Sequence, residues 1–453
     1  MNGNHVMTSP TINSSKQVNT VRWVVTIAAI ALIFDGYDLV VFGTIVSTLL
    51  ADPSQLGQLD AAAAGLLGSY ALLGVMVGAL TTGAIGDYLG RRKVMLTGII
   101  WFSIGMALTA FAPDSFWFGI LRFLTGMGVG ALVATAGAIV AEFAPKNRRN
   151  YYNAIVYSGV PMGGVLASLL AMLLSDLIGW RGLFMIGALP LLFLLPLAWF
   201  KLPESPQWLL SRGRVAEAQE MSARTGIVLE LPIDAKAESS KSEAVGFAAL
   251  ATKRYALPTA LLGMMSFAGL LLTYGLNTWM PEIMLQAGYG KSHSLLFLLV
   301  LNLAAVFGGL LASVAADRTG PKQVIAVTFF LAALAMVLMT LKLPLLLLLA
   351  LVAVAGVGTI GTQVLIYGFV SNYYHSAARG AGVAWCAGFG RLGGIFGPLA
   401  GGMLLSAGAT PGTAFYVFAG VAIVGTLVTT FVPMSRSNAL QPARELVVTG
   451  TEK

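Results

Sequence analysis

Apolar residues run along this chain in long blocks, and polar residues collect between the blocks. About 20 consecutive apolar residues is the length of helix that crosses the hydrocarbon core of a bilayer. Twelve blocks of that kind are present, at about 23–50, 61–85, 94–112, 117–141, 151–175, 183–201, 256–285, 294–316, 323–341, 345–370, 380–406 and 412–433. The pattern predicts an all-α membrane protein with twelve transmembrane helices. The third and fourth blocks are joined by a short turn, Ala112-Pro113-Asp114, and the ninth and tenth by Lys342-Leu343-Pro344. One long polar segment, 202–254, separates the sixth block from the seventh. It opens on Leu202-Pro-Glu-Ser-Pro-Gln-Trp-Leu-Leu210, which reads as a turn, and continues over Arg212–Arg224 as an amphipathic helix lying on the membrane surface. The expected organisation is a tail over 1–22, a six-helix half over 23–201, a linker over 202–254, a second six-helix half over 255–434 and a tail over 435–453. The first 22 residues lack the apolar core and small-residue cleavage site of a signal peptide.

Composition agrees with the pattern. The chain of 453 residues is 57% hydrophobic and 10% charged, whereas soluble domains carry about 25% charged residues. Its net charge of +8 would suggest nucleic acid in a soluble protein, but the distribution of the charge argues otherwise. With the N-terminus inside, 22 of the 27 Lys and Arg fall in the tails, the short internal loops and 201–254. Three, Arg181, Lys291 and Lys342, fall in external loops, and Arg122 and Arg391 fall within helices. Positive charge on the cytoplasmic side is the usual topology signal, so both termini are expected in the cytoplasm and the protein in a bacterial cytoplasmic membrane. The excess also favours anionic lipid. The single cysteine, Cys386, rules out an intramolecular disulfide. His5, His293 and His375 lie in tails or loop ends, no metal-ligand cluster is present, and neither a phosphate loop nor a nucleophile elbow occurs. No metal, cofactor, enzymatic activity, nucleic acid or obligate protein partner is therefore expected.

The halves repeat one feature. Gly83-Ala-Ile-Gly-Asp87-Tyr-Leu-Gly90-Arg91-Arg92-Lys93 follows the second helix, and Ser313-Val-Ala-Ala-Asp317-Arg-Thr-Gly320-Pro-Lys322 follows the eighth. An acid, a glycine three residues on and then basic residues, twice, indicates parallel six-helix repeats. This loop resembles the signature of the major facilitator superfamily. So do Leu121-Arg122-Phe-Leu-Thr-Gly126-Met-Gly128, Ala141-Glu142-Phe-Ala-Pro145 and Pro203-Glu204-Ser-Pro206. Within the superfamily, Asp35-Gly36-Tyr37-Asp38 and Gly390-Arg391-Leu-Gly393 resemble the aromatic acid:proton symporters. Sugar porters share the Pro-Glu-Ser-Pro stretch, but Gln207 replaces their usual basic residue, and Gly263-Met-Met-Ser-Phe stands where they carry a glutamine pair. The resemblance implies proton-coupled import of a small aromatic carboxylate, benzoate or a hydroxybenzoate, by alternating access. The alternatives are an exporter or a sugar or polyol carrier on the same fold, and a membrane sensor that binds without transporting. The resemblance also implies a cytoplasmic gate that holds the halves together when the site faces outward. Its expected members are Gly83, Asp87, Gly90, Arg91, Arg92, Glu142, Asp317, Arg318 and Arg379, with Lys146, Arg148, Arg149 and Lys322.

Asp35, Asp38, Arg122 and Arg391 are charged residues set inside the apolar blocks. Asp35 and Asp38 are spaced i, i+3 and share a helix face. A charge at bilayer depth costs roughly 2.5–3.5 kcal/mol on insertion scales, so the pair must face water, meet a cation or hold a proton. Two nearby carboxylates also resist joint ionisation. Both are expected to couple protons, with Arg391 as first partner and Arg122 as second. Arg122 sits early in the fourth helix, where it either pairs with Asp35, Asp38 or a substrate carboxylate, or snorkels outward. Arg391 is deeper, among Gly388, Gly390, Gly393 and Gly394. A guanidinium fork matches a carboxylate, so it either binds substrate or pairs with the aspartates. Asp38, Trp385, Phe389, Tyr274, Asn277 and Gln363 are the expected further contacts to the substrate, with Tyr70, Tyr157, Trp279, Asn302 and Tyr367 as weaker candidates that serve equally well as packing.

Overall fold

A computed structural model describes residues 15–145, 148–227, 229, 247–374 and 376–433. The regular structure of the described residues is helical throughout. Chain order runs α1 (Ser15–Ala51), α2 (Ala61–Leu89), α3 (Arg91–Ala110), α4 (Ser115–Phe143), α5 (Arg149–Tyr157), α6 (Gly159–Ile186), a 3-10 turn (Leu189–Leu191) and α7 (Leu194–Lys201). The linker carries α8 (Pro206–Ser211), α9 (Val215–Thr225) and α10 (Phe247–Leu250). The second half comprises α11 (Ala256–Gln286), α12 (Lys291–Thr319), α13 (Pro321–Leu338), α14 (Leu345–Gly356), a π turn (Val357–Gly361), α15 (Thr362–Tyr373), α16 (Ser376–Ser406) and α17 (Pro411–Phe431).

Helix starts follow local chemistry. Asp60 caps α2 through Ala63 N at 2.7 Å, and Asp114 caps α4 through Trp117 N at 2.9 Å. Side chains of this kind satisfy amide groups that the first turn leaves free. Gly90 and Gly320, the matched glycines of the repeated loop, have φ of 94° and 95°. Each ends one helix and begins the next, in a backbone region that only glycine enters without strain.

Among the described residues, ten helical stretches are long and apolar enough to cross a membrane. The other two of the twelve expected crossings differ for evident reasons. The sixth is broken: Gly179, at φ 63° and ψ −176°, kinks α6, and the 3-10 turn at Pro190 separates it from α7. Proline lacks the donor that a continuous helix needs. The eleventh, α16, has 31 residues, but nine are glycine and two are arginine. Two further boundaries shift. Residues 15–22, expected in the tail, continue α1, and Thr20 Oγ1 donates to Thr225 O at 3.1 Å, docking them on α9. The helix expected over Arg212–Arg224 is α9, which starts at Val215, and the stretch expected as a turn carries the short α8; Gly213, with φ 72°, parts the two.

The two halves meet along three seams: α1 with α11, α2 with α16, and α6 with α12. The named contacts all lie in the half of the molecule away from the repeated loops. Gly43 packs on the backbone of Asn277, Gly65 on Pro398, and Gly164 on the Asn302 amide. Ser69 Oγ donates to Ile395 O at 2.7 Å, and Lys291 Nζ meets Asp176 Oδ1 at 2.6 Å. The described ion pairs at the looped ends stay within one half. Among the described residues the halves are therefore joined on the closed face, and no named contact joins them on the parted face, the one that carries the repeated loops.

Candidate functional site

α1 is buried along nearly its whole length from Ala31 to Val46, because it has other helices on every side. Asp35 is 3% exposed and Asp38 is fully buried. The Asp38 carboxylate pairs with Arg122 Nη1 from α4. Arg122 is 1% exposed and does not snorkel. Its guanidinium lies over the rings of Phe42, at 5.5 Å, and Phe184, at 5.7 Å. Phe42 is one turn after Asp38, so carboxylate and ring present one face to Arg122. Asp38 Oδ2, Arg122 Nε and Asp35 Oδ1 are buried without hydrogen-bond partners. A desolvated group left in that state is costly, so the two carboxylate oxygens are poised for a proton, a water or a ligand donor, and Arg122 Nε for an acceptor.

Arg391 stands opposite, on α16, half-buried. Among the described residues none makes a hydrogen bond or ion pair with it. Its charge acts on Asp35 and on the hydroxyls of Tyr157, Tyr274 and Tyr367. The expected order of partners is thus reversed: Arg122 holds Asp38 in a direct pair, and Arg391 faces Asp35 at longer range. Packing explains this, because α4 lies against α1 within one half, whereas α16 packs on α11 and α2. One carboxylate of the first half is therefore neutralised in place, and the other looks across at a cation of the second half that has no hydrogen-bond or ion-pair partner among the described residues.

The other expected contacts divide. Tyr274 packs against Gly394, whose added Cβ would lie 2.8 Å from the ring. Gln363 Nε2 donates to Ser266 Oγ at 3.2 Å, and its Oε1 is buried without a partner. Asn277 is satisfied in this state: Nδ2 donates to Thr273 O at 2.8 Å, and Oδ1 accepts from Asn302 Nδ2 at 2.8 Å. It belongs to the closed face rather than to an open site. Trp385 and Phe389 stack at 5.4 Å, but the structure does not bring them to Arg391. Two residues along a helix is about 200° of rotation, so Phe389 points away from Arg391. Trp385 Nε1 donates to Thr259 O, and Phe389 meets Phe267 at 5.8 Å. Phe396 and Met403 continue the same stripe at 48% and 52% exposure, which makes it the outer apolar face of α16.

The rim residues engage locally. Arg91 Nε donates to Glu142 Oε1 at 3.0 Å. Arg92 Nη2 donates to Trp199 O at 2.6 Å, and its guanidinium lies 5.7 Å from that ring. Glu204, absent from the expected gate, accepts from Arg92 N and Ser205 N, each at 3.1 Å, and so caps the start of α3. Its signal was the Pro-Glu-Ser-Pro stretch. Gly83 has open space around it. Asp317, Arg318, Arg379, Arg148 and Arg149 are exposed, and Lys322 donates to Val432 O at 2.6 Å. The Asp87 side chain and Lys146 lie outside the described residues. No group of metal-binding side chains occurs among the described residues.

The family model for the Major Facilitator Superfamily matches residues 28–341 and 300–450. The gentisate transporter of Corynebacterium glutamicum is 33% identical over 399 residues, covering 87% of this chain and 84% of that protein. The benzoate transport protein of Acinetobacter baylyi is 32% identical, covering 84% and 83%. The 4-hydroxybenzoate transporter of Pseudomonas putida is 30% identical, covering 90% and 92%. Among solved structures, the partially occluded inward open conformation of the E. coli xylose transporter matches with a TM-score of 0.71. It covers 91% of this chain and all of that one at 18% identity, a likeness of fold.

Proposed function

The chain belongs to the major facilitator superfamily, and on that premise we propose that it is a secondary transporter importing a small aromatic carboxylate together with protons. The observation that carries this reading is the unpaired Arg391 facing Asp35 across the interface of the halves. With both aspartates ionised, the two carboxylates balance Arg122 and Arg391, and the empty site is neutral. A bound anion adds a negative charge in a region where charge is expensive. One proton taken up at Asp35 restores neutrality. The loaded carrier then reorients at lower cost than the half-loaded one, which is what coupling requires. The transport ratio is at least one proton per anion.

In this reading Arg391 receives the carboxylate through its fork, and Tyr274, Tyr367 and Tyr157 enclose the ring, with Gln363 and Ser266 beside them. Asp35 carries the proton, and Asp38 with Arg122 fixes the position of α1 and the field around it. Trp385, Phe389 and Asn277 are outside the site in the state described. The names of the relatives, which carry gentisate, benzoate and 4-hydroxybenzoate, support benzoate or a hydroxybenzoate as cargo. The bias of Lys and Arg supports cytoplasmic termini in the inner membrane. The parted face then opens to the cytoplasm and the closed face lies outside. The rim charges act as the cytoplasmic gate when the parted face closes.

A sugar carrier on the same fold is the second reading, but a neutral sugar carried together with a proton on Asp35 leaves Arg391 without its counter-ion. Proteoliposomes of known orientation separate the two. An inward proton gradient accelerates entry of labelled benzoate or 4-hydroxybenzoate, and a protonophore removes the acceleration. Equal entry with and without the gradient rejects proton coupling, and export driven by the same gradient makes the protein an antiporter.

A further inference from the structure

On the closed face, away from Arg391, a pocket of about 270 Å³ lies between the end of α1, α11 and the first turn of α12. Its polar lining is Thr44, Ser47, Thr48, Asp52, Lys291 and Ser294. Thr44 Oγ1 already donates to Val41 O. Ser294 is 3% exposed and its hydroxyl has no partner, which is unusual for a buried polar group. Lys291 and Ser294 are spaced i, i+3 and share a helix face. α12 begins at Gly290 with no side-chain cap, so its free amides and dipole favour an anion. The opposite wall carries the hydroxyls of Ser47 and Thr48 and the carboxylate of Asp52, which accepts from Ser54 N at 3.0 Å and Gln55 Nε2 at 2.7 Å. The pocket thus offers a cation and a hydroxyl from α12 and hydrogen-bond acceptors from the end of α1, with Pro281, Leu285 and Leu295 supplying apolar lining.

Lys291 has a second engagement. Its ammonium meets Asp176 of the other half at 2.6 Å, across the α6–α12 seam. We propose that this pocket is an outer-face binding site for a small hydroxylated carboxylate, the carrier's own cargo before entry. The carboxylate takes Lys291 and the Ser294 hydroxyl, and the ring hydroxyl reaches Ser47, Thr48 or Asp52. Because the anion competes with Asp176 for Lys291, binding loosens one of the contacts that hold the outer face shut. The cargo class and the outer location rest on the proposed function.

The test uses the full-length protein in vesicles of known orientation, with labelled 4-hydroxybenzoate. Gradient-driven entry by the wild type is the control that stands or falls with the proposed function itself. Half-saturation is then measured from the outer and the inner side for Lys291→Gln, Ser294→Ala and Asp176→Asn. Hydrogen bonds to a charged group are worth about 1.5–3 kcal/mol. Lys291→Gln and Ser294→Ala should therefore raise outer half-saturation at least about tenfold. Lys291→Arg should restore it, and Asp176→Asn should lower it by freeing Lys291. Inner half-saturation should not move in any variant. A latch without a binding role makes Lys291→Gln and Asp176→Asn shift in the same direction by the same factor, and leaves Ser294→Ala silent. Either result overturns the site.

Discussion

Asp35 and Asp38 are one helical turn apart and have opposite fates. Asp38 is locked to Arg122 beneath two aromatic rings, while Asp35 has a buried oxygen with nothing to bind. Removing one member of a buried pair costs about 3–5 kcal/mol because the other charge is stranded. Asp38→Asn should therefore abolish gradient-driven uptake and also lower the thermal midpoint of the purified protein. Asp35→Asn should abolish gradient-driven uptake while leaving stability and cargo exchange intact, because no ion pair is broken. Exchange assays and a thermal scan separate the two, and equal loss of stability in both variants would sink the distinction. Arg391→Lys should weaken anion binding about tenfold, since a point charge cannot replace the fork; unchanged affinity removes Arg391 from the site. The sequence made Asp35, Asp38, Arg122 and Arg391 legible, because each is expensive where it stands. It did not reveal which pairs with which. Pairing depends on whether two helices belong to the same half, and the chain lists helices without their neighbours. Trp385 and Phe389 misled for a related reason: nearness along the chain to Arg391 is nearly the opposite of nearness on a helix.

At the scale of elements, the seams depend on glycine. A Cβ at Gly43 would collide with the carbonyl of Asn277, and one at Gly164 with the Asn302 amide. In both cases the obstacle belongs to the other half. Gly43→Ala should hold α1 and α11 apart and bias the protein toward an open outer face. A cysteine placed at Ser69, whose hydroxyl now contacts Ile395, should then react with an impermeant maleimide added from outside; protection equal to that in the parent would refute the bias. The helices themselves were readable from apolar blocks. The break at Gly179 was not, since a glycine inside an apolar run looks the same whether it bends or packs. The helical start at Ser15 is not legible, because its polar composition matches that of a tail and only the contact with α9 distinguishes it.

For the whole molecule, the proposed function makes the proton a co-substrate, because it is what keeps the loaded site neutral. Initial uptake at fixed internal pH should rise as external pH falls, and the rise should disappear when both sides are clamped to one pH. A rate that ignores the gradient would leave the aspartates without a coupling role. The repeated loop revealed the two-half plan from sequence alone, and Gly90 and Gly320 adopt nearly the same φ in both copies. Which face stands closed could not be read, because one sequence encodes both states and only coordinates record which is present.

The π turn at Val357–Gly361 has one consequence of a different kind. It inserts extra backbone between α14 and α15, and Thr362 Oγ1 reaches back to Val357 O across five residues. Each residue of a helix is worth about 100° of rotation. Deleting a single residue there would leave α14 seated and turn the whole of α15 by that angle, carrying Gln363 and Tyr367 off the Arg391 side together. In this frame the surface offered to the cargo ring is set by a count of residues as much as by their identities. A one-codon change in length could thus exchange the lining of the second half at a stroke, while the scaffold that rocks around it stayed the same.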